Sequence, residues 1–166
     1  MEFCNWGSIK SIKLGGKMRF SITISHSTSG EKITLTPEEV SYAEYDFEQL
    51  NSSSLANMTS KVEMKISGKL LSNLDESGSN DLTLYEKNRE DVRKICEWAF
   101  DYKKETDYRN VDLEVELGDG EKYFYSFRNM FAVKLQQSFS TNYGVSTFVL
   151  TLKQKYFEDM KVSIEY

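Results

Sequence analysis

Few residues in this chain have the types and spacing that chemistry requires. The only histidine is His26, beside a Ser/Thr/Gly turn, and the only cysteines are Cys4 and Cys96. A cysteine nucleophile needs a base to draw off its proton and a third group to orient that base. Cys96 instead falls on the apolar face of a predicted helix, where it reads as a packing residue. Two cysteines and one histidine cannot assemble a four-ligand zinc site without carboxylate help. The segment DESGSND at 75–81 has the composition of a calcium loop, but neither the ligand spacing nor the closing glutamate of an EF-hand, and it reads as a solvated loop. No phosphate-cradling glycine loop, Walker motif or dinucleotide fingerprint is present. The expectation is a protein that is not an enzyme, with no cofactor and no metal.

Carboxylates are abundant, but in strand alternation. In NVDLEVELGDGEKYFYSF (110–127), Val111, Leu113, Val115 and Leu117 alternate with Asp112, Glu114 and Glu116. A three-residue loop at Gly118-Asp119-Gly120, with Gly120 left-handed, pairs Leu117 with Glu121, Val115 with Tyr123, Leu113 with Tyr125 and Val111 with Phe127. On the other face Glu116 meets Lys122, Glu114 meets Phe124 and Asp112 meets Ser126. One acid of three then finds a cation within the hairpin. The polar face of Asp112, Glu114, Glu116 and Lys122 looks toward water, a basic partner, or the lumen of something larger. Tyr123, Tyr125 and Phe127 could stack bases, but such platforms sit in positive grooves. These aromatics neighbour acids in a chain of net charge −5, so no nucleic-acid partner is expected.

The elements that position these residues are mostly strands. A chain of 166 residues, 39% apolar, is enough for one domain with a single core. Ten Phe, ten Tyr and two Trp beside a single proline suit strands and large packed contacts. Residues 1–17 read as an N-terminal arm containing Gly15-Gly16, and 18–166 as the domain. Met18, Phe20, Ile22 and Ile24 alternate with polar residues and form a first hairpin with KITLT. A strand at Val40–Phe47 precedes the polar stretch NSSSLANMTS, and KVEMKISGKLL follows, with Gly68 as a bulge or a point of close approach. One amphipathic helix is predicted at about 85–103, its apolar face carrying Val92, Ile95, Cys96, Ala99, Phe100 and Tyr102. Four alternating stretches come after it, at 109–117, 121–128, 130–139 and 145–155, with FRNMF as a short bend. The fold class is α+β and β-rich: an antiparallel β-sandwich or small β-barrel with one flanking helix. No apolar run has signal-peptide or membrane-span length, which predicts synthesis in the cytoplasm and no stable membrane insertion.

With chemistry set aside, element order is the strongest signal. A strand ending K-V-E-M-K-I-S-G-K, a loop, a single helix REDVRKICEWAFDY and a hairpin rising into two long strands resemble the tube subunits of contractile injection machines. That family includes the haemolysin-coregulated protein of type VI secretion and the tail-tube proteins of contractile phages, R-type bacteriocins and extracellular injection systems. The likeness covers residue 18 to about 155, in element order and size.

The resemblance implies six subunits closing into a ring, rings stacking into a hollow tube, and sheath and baseplate proteins as partners in a released or injected particle. It also implies an extended loop reaching the neighbouring ring. By position that loop is Ser41–Ser60, with Tyr42, Tyr45, Phe47 and Leu50 as anchors; the competing reading is a mobile surface loop. Strand faces lining a channel would be polar, which gives Asp112, Glu114, Glu116 and Lys122 a place on a lumen or subunit contact. The alternative function is a small-ligand or carbohydrate-binding β-barrel, which predicts a concave apolar pocket within one subunit.

Overall fold

Inward-facing Ile, Val, Leu and Phe at every second position dictate strands, and the computed structural model places eight of them among its described residues. It describes 18–26, 28–51, 58–71, 82–101, 107–118, 120–140, 146–155 and 160–165, without the side chains of 49–51, 58–61, 82 and 160–165. The elements are β1 (Arg19–His26), β2 (Lys32–Leu35), β3 (Val40–Asn51), β4 (Met58–Leu70), α1 (Leu82–Phe100), β5 (Arg109–Gly118), β6 (Glu121–Ser138), β7 (Ser146–Gln154) and β8 (Met160–Glu165). The sheet runs β2-β1-β5-β6-β7-β4-β3, with β8 added on β6 and every pairing antiparallel.

Among the described residues the sheet path ends at β2 and β3 and does not close, so the architecture is a folded-over sandwich rather than a closed barrel. Its folding over is visible in one side chain. The Tyr45 ring on β3 lies 5.1 Å from Phe127 and 5.7 Å from Tyr125, both on β6, although β4 and β7 separate the two strands in the sheet. Between the two halves lies one core: Ile22, Ile24, Ile33, Leu35, Met64, Ile66, Val111, Phe127, Phe148 and Leu150 among others, with Val92, Ile95 and Trp98 from α1. Burying each such side chain is worth about 1.5–3 kcal/mol. Gly68 is a point of close approach, since a Cβ there would overlap the Phe148 ring.

β6 is one strand of 18 residues, where two had been expected. FRNMF does bend it: Asn129 has φ 52, a left-handed value that asparagine tolerates. The bulge faces Asn110, and its backbone groups find substitutes. Asn129 N–H donates to Asn110 Oδ1 at 3.3 Å, and Arg128 C=O accepts from Gln154 Nε2 at 3.0 Å. Met130 pairs with Arg109 on one side and Gln154 on the other, while Tyr123 pairs with Val115 and Ile164. β7 and β8 therefore follow one another along the same side of β6, opposite β5.

Three expectations are corrected. The helix spans Leu82–Phe100 instead of 85–103. Its buried stripe runs through Asn88, Asp91, Val92, Ile95 and Trp98, and Phe100 is 64% exposed. Eight residues on from Val92, Phe100 lies about 80° round the helix on the side away from Trp98; Tyr102 lies outside the described residues. Second, most of Ser41–Ser60 is strand and not loop, because Ala43, Tyr45 and Phe47 alternate with Tyr42, Glu44 and Asp46 against a matching β4. Residues 52–57 lie outside the description, as do the arm 1–17 and the segment 72–81 that contains DESGSND. Third, β8 extends the sheet beyond the last strand that alternation predicts.

Candidate assembly surfaces

Among the described residues, the two groups with catalytic potential, His26 and Cys96, are committed elsewhere. His26 Nδ1 accepts the backbone N–H groups of Thr28 and Ser29 at 3.1 and 3.0 Å, which leaves the ring hydrogen on Nε2, facing Asp107 Oδ1 at 3.3 Å. Neither nitrogen is then placed to take a proton from a nucleophile. Burial pushes the Cys96 thiol above its ordinary range, against a smaller opposing effect of the Gln137 hydrogen bond, so the reactive thiolate is disfavoured. Among the described residues no cluster of His, Cys, Asp and Glu has metal-site geometry, and no helix is long and apolar enough to cross a membrane.

The hairpin of β5 and β6 holds the residues singled out for its polar face. Cross-strand pairs run as expected from Val111 with Phe127 to Glu116 with Lys122, and Gly120 has φ 86. At the tip Gly118, not Leu117, pairs with Glu121. The charges differ from the expectation. Lys122 Nζ reaches diagonally to Glu114 Oε1 at 2.6 Å, while Asp112 accepts from Ser126 Oγ at 2.6 Å and has Arg128 at 3.8 Å. Two acids of the three thus have a cation, because strand twist brings diagonal neighbours within reach of a long side chain.

That face continues across the sheet. By register, Ser21 and Thr23 of β1 stand beside Glu114 and Asp112; further on, Thr151 and Lys153 of β7 stand beside Lys65 and Glu63 of β4, and Lys65 beside Glu44 of β3. Lys153 pairs with Glu63 at 3.6 Å and Lys65 with Glu44 at 2.9 Å. The Tyr42 hydroxyl donates to Glu44 at 2.5 Å, and that bond, ahead of Lys65, holds the Glu44 carboxyl below its ordinary range. The result is a wall of hydroxyls and mixed charges, interrupted by Phe124 beside Glu114, Phe131 beside Lys153 and Val149 beside Gln136, and backed by the core.

The four proposed anchors do not share a surface. Alternation puts Tyr42, half-exposed, on the polar wall, and Tyr45 and Phe47 on the opposite face. Tyr45 packs inward on Tyr125 and Phe127, whereas Phe47 is 52% exposed near the far end of β3. Leu50 pairs with Thr59 through its backbone, and its side chain lies outside the description.

Sequence reasoning missed a buried polar knot where α1 meets the sheet. Glu39, fully buried, accepts from Thr36 N–H at 2.8 Å, Asn88 Nδ2 at 2.9 Å and Lys87 Nζ at 3.1 Å. Lys87 also donates to Asp91 at 2.8 Å and to the Thr34 carbonyl, and Asn88 bridges Lys69 C=O and Leu71 N–H. Burial pushes the Glu39 carboxyl up, but the Thr36, Asn88 and Lys87 hydrogen bonds outweigh it and hold it below the ordinary 4.5. The available signal was Asn88, four residues before Val92 on the buried stripe of the helix. A second cluster stacks Arg109 over Trp98 at 5.0 Å, with Glu31 at 3.1 Å and the Trp98 indole donating to Asp107 C=O at 3.0 Å.

One apolar groove of about 400 Å³ opens between β3 and the β5–β6 hairpin. Its one carboxylate, Glu44, is already engaged by Tyr42 and Lys65. An apolar groove within one subunit is what the small-ligand alternative predicts; a sugar site needs several convergent polar groups as well, and this lining does not supply them.

No family model matches the chain, and no curated protein matches it significantly. Solved structures with a similar arrangement include a chain of the anti-feeding prophage baseplate, six-fold symmetrised, at 12% identity over 90% of this chain and 95% of that one, with TM-score 0.45. Hcp1 from Flavobacterium johnsoniae is 14% identical over 88% and 94%, with TM-score 0.46. A chain from the tail of an empty GTA particle, refined with C6 symmetry, is 12% identical over 86% and 93%, with TM-score 0.44. All three TM-scores lie below 0.5, a level at which likeness does not establish function.

Proposed function

We propose that this chain is a structural, non-enzymatic subunit of the inner tube of a contractile tail-like or secretion particle. Six copies close into a ring, and rings stack into a hollow tube within a sheath on a baseplate. Residues 18–166 form the tube domain and 1–17 an arm, and the chain is made in the cytoplasm before assembly. The observation that carries this reading is the largely polar wall over β1, β5, β6, β7, β4 and β3, set on a folded-over sheet whose path, among the described residues, ends at two open edges. Open edges are aggregation hazards in a monomer, and pairing between copies removes the hazard. A hydroxyl-rich, charge-balanced wall suits a channel through which cargo must slide without sticking. Phe47, with more than half its surface exposed at the end of β3, is suited to a contact between rings.

The test is electron microscopy of the purified protein, alone and with any sheath and baseplate proteins encoded beside it. Rings or tubes are expected. A species that stays monomeric in light scattering at high concentration, and forms no polymer with those partners, overturns the reading.

A further inference from the structure

The groove between β3 and the β5–β6 hairpin is an apolar surface that the described residues leave uncovered. Tyr45, Leu113, Val115, Leu117 and Tyr123 line it, and Met18 forms part of its wall. Met18 is 64% exposed and Leu117 46%, so two large apolar side chains stand on its rim in contact with water. Covering such surface is worth roughly 25 cal/mol per Å².

Met18 is also where the described chain begins. Residues 1–17, MEFCNWGSIKSIKLGGK, are therefore tethered at the groove itself. Phe3, Trp6, Ile9, Ile12 and Leu14 supply apolar side chains of the size the groove takes. Gly15-Gly16 stands just before the wall, and glycine adopts the conformations that reverse a chain within two residues. Fully extended, 17 residues reach about 55–60 Å, far more than the groove requires.

We infer that the N-terminal segment of this same chain turns back at Gly15-Gly16 and docks its apolar side chains in the groove. Tethering at Met18 gives the segment an effective concentration of the order of millimolar at its own groove, which a second copy does not match in dilute solution. The inference is independent of the tube reading. Should the chain also polymerise, the docked segment would cover a face of β3 next to an open sheet edge, and its release would expose that face for assembly.

The native Cys4 makes the docking measurable in the full chain. With Cys96→Ser removing the other thiol, Leu117→Cys places a partner on the groove rim, and Lys134→Cys, exposed on β6, serves as the control. Oxidised glutathione should close an intramolecular disulfide from Cys4 to position 117 at least tenfold faster than to position 134, seen as a faster-migrating monomer on a non-reducing gel. Equal rates overturn the inference, and so do covalent dimers as the main product, which would put the segment on a second copy. Trp6→Ser together with Ile9→Ser, which removes apolar side chains from the segment, should slow closure several-fold and speed tryptic cleavage after Lys10 and Lys13, with the circular dichroism spectrum unchanged. If neither rate moves, the apolar docking is overturned.

Discussion

The polar wall and the polar knot under α1 use the same residue types to opposite ends. On the wall, Lys122 with Glu114 and Lys65 with Glu44 sit at surfaces a third or more exposed, where water competes for every charge. In the knot, Glu39 is sealed, and each of its oxygens is held by groups from different parts of the chain. The difference is in what is left behind when a partner is removed. A wall residue loses a partner that water replaces, whereas a knot residue leaves a desolvated charge or amide with nothing to bind. The knot is therefore a device of stability, and the wall a surface free to be specified by what binds it.

Substitutions can separate the two. Glu39→Ala should cost about 3–5 kcal/mol in chemical denaturation, since it strands the buried Asn88 amide and the Thr36 N–H, while Lys87 keeps Asp91 and the Thr34 carbonyl. Asn88→Ala should cost about 3 kcal/mol, because Lys69 C=O, Leu71 N–H and Glu39 each lose a bond. Next in size is the acid limb. Glu39 has a lowered carboxyl value in the folded state, so its contribution is present in full above about 4.5 and is lost as pH falls through that lower value. Denaturation midpoints should therefore drop below pH 4.5, and Glu39→Gln should flatten that drop; an unchanged slope would show that other carboxylates govern the acid limb. On the wall, Glu114→Gln should change stability by less than about 1 kcal/mol. Asp112→Lys with Glu114→Lys should leave the monomer folded and alter ring or tube formation in micrographs only if those residues face a neighbouring subunit. The smallest effect is expected at Cys96→Ser, with assembly retained.

How far the sequence could be read depended on how local the deciding contact was. The β5–β6 hairpin was legible pair by pair because two glycines with φ 110 and 86 close it within a few residues. Only its ends escaped: Lys122 chose the diagonal acid, and the bulge moved the tip pair from Leu117 to Gly118. The β3–β4 hairpin was half misread, since the serines and asparagines between its strands resemble a long loop and hide the alternation on either side. Sheet order was not legible at all. Nothing in β6 by itself says that Asn129 will hand the strand from β5 to β7, or that β8 will fill the space beyond. The knot was the least legible of all, because Glu39 and Asn88 lie 49 residues apart and each looks solvated in isolation. Its tell was an asparagine on an apolar helical stripe, a pattern that costs stability unless a partner waits in the core.

β6 has a further property that matters wherever this chain bears load. Its 18 residues run through the middle of the sheet and, at about 3.3 Å per residue, would measure roughly 60 Å if straight. Neighbours flank it on both sides for much of that length, so tension along its axis strains many lateral bonds together in shear rather than peeling them one at a time. The kink at Asn129, where the backbone is least regular, is then where such a spar gives first, and the side chains of Asn110 and Gln154 act as its splints.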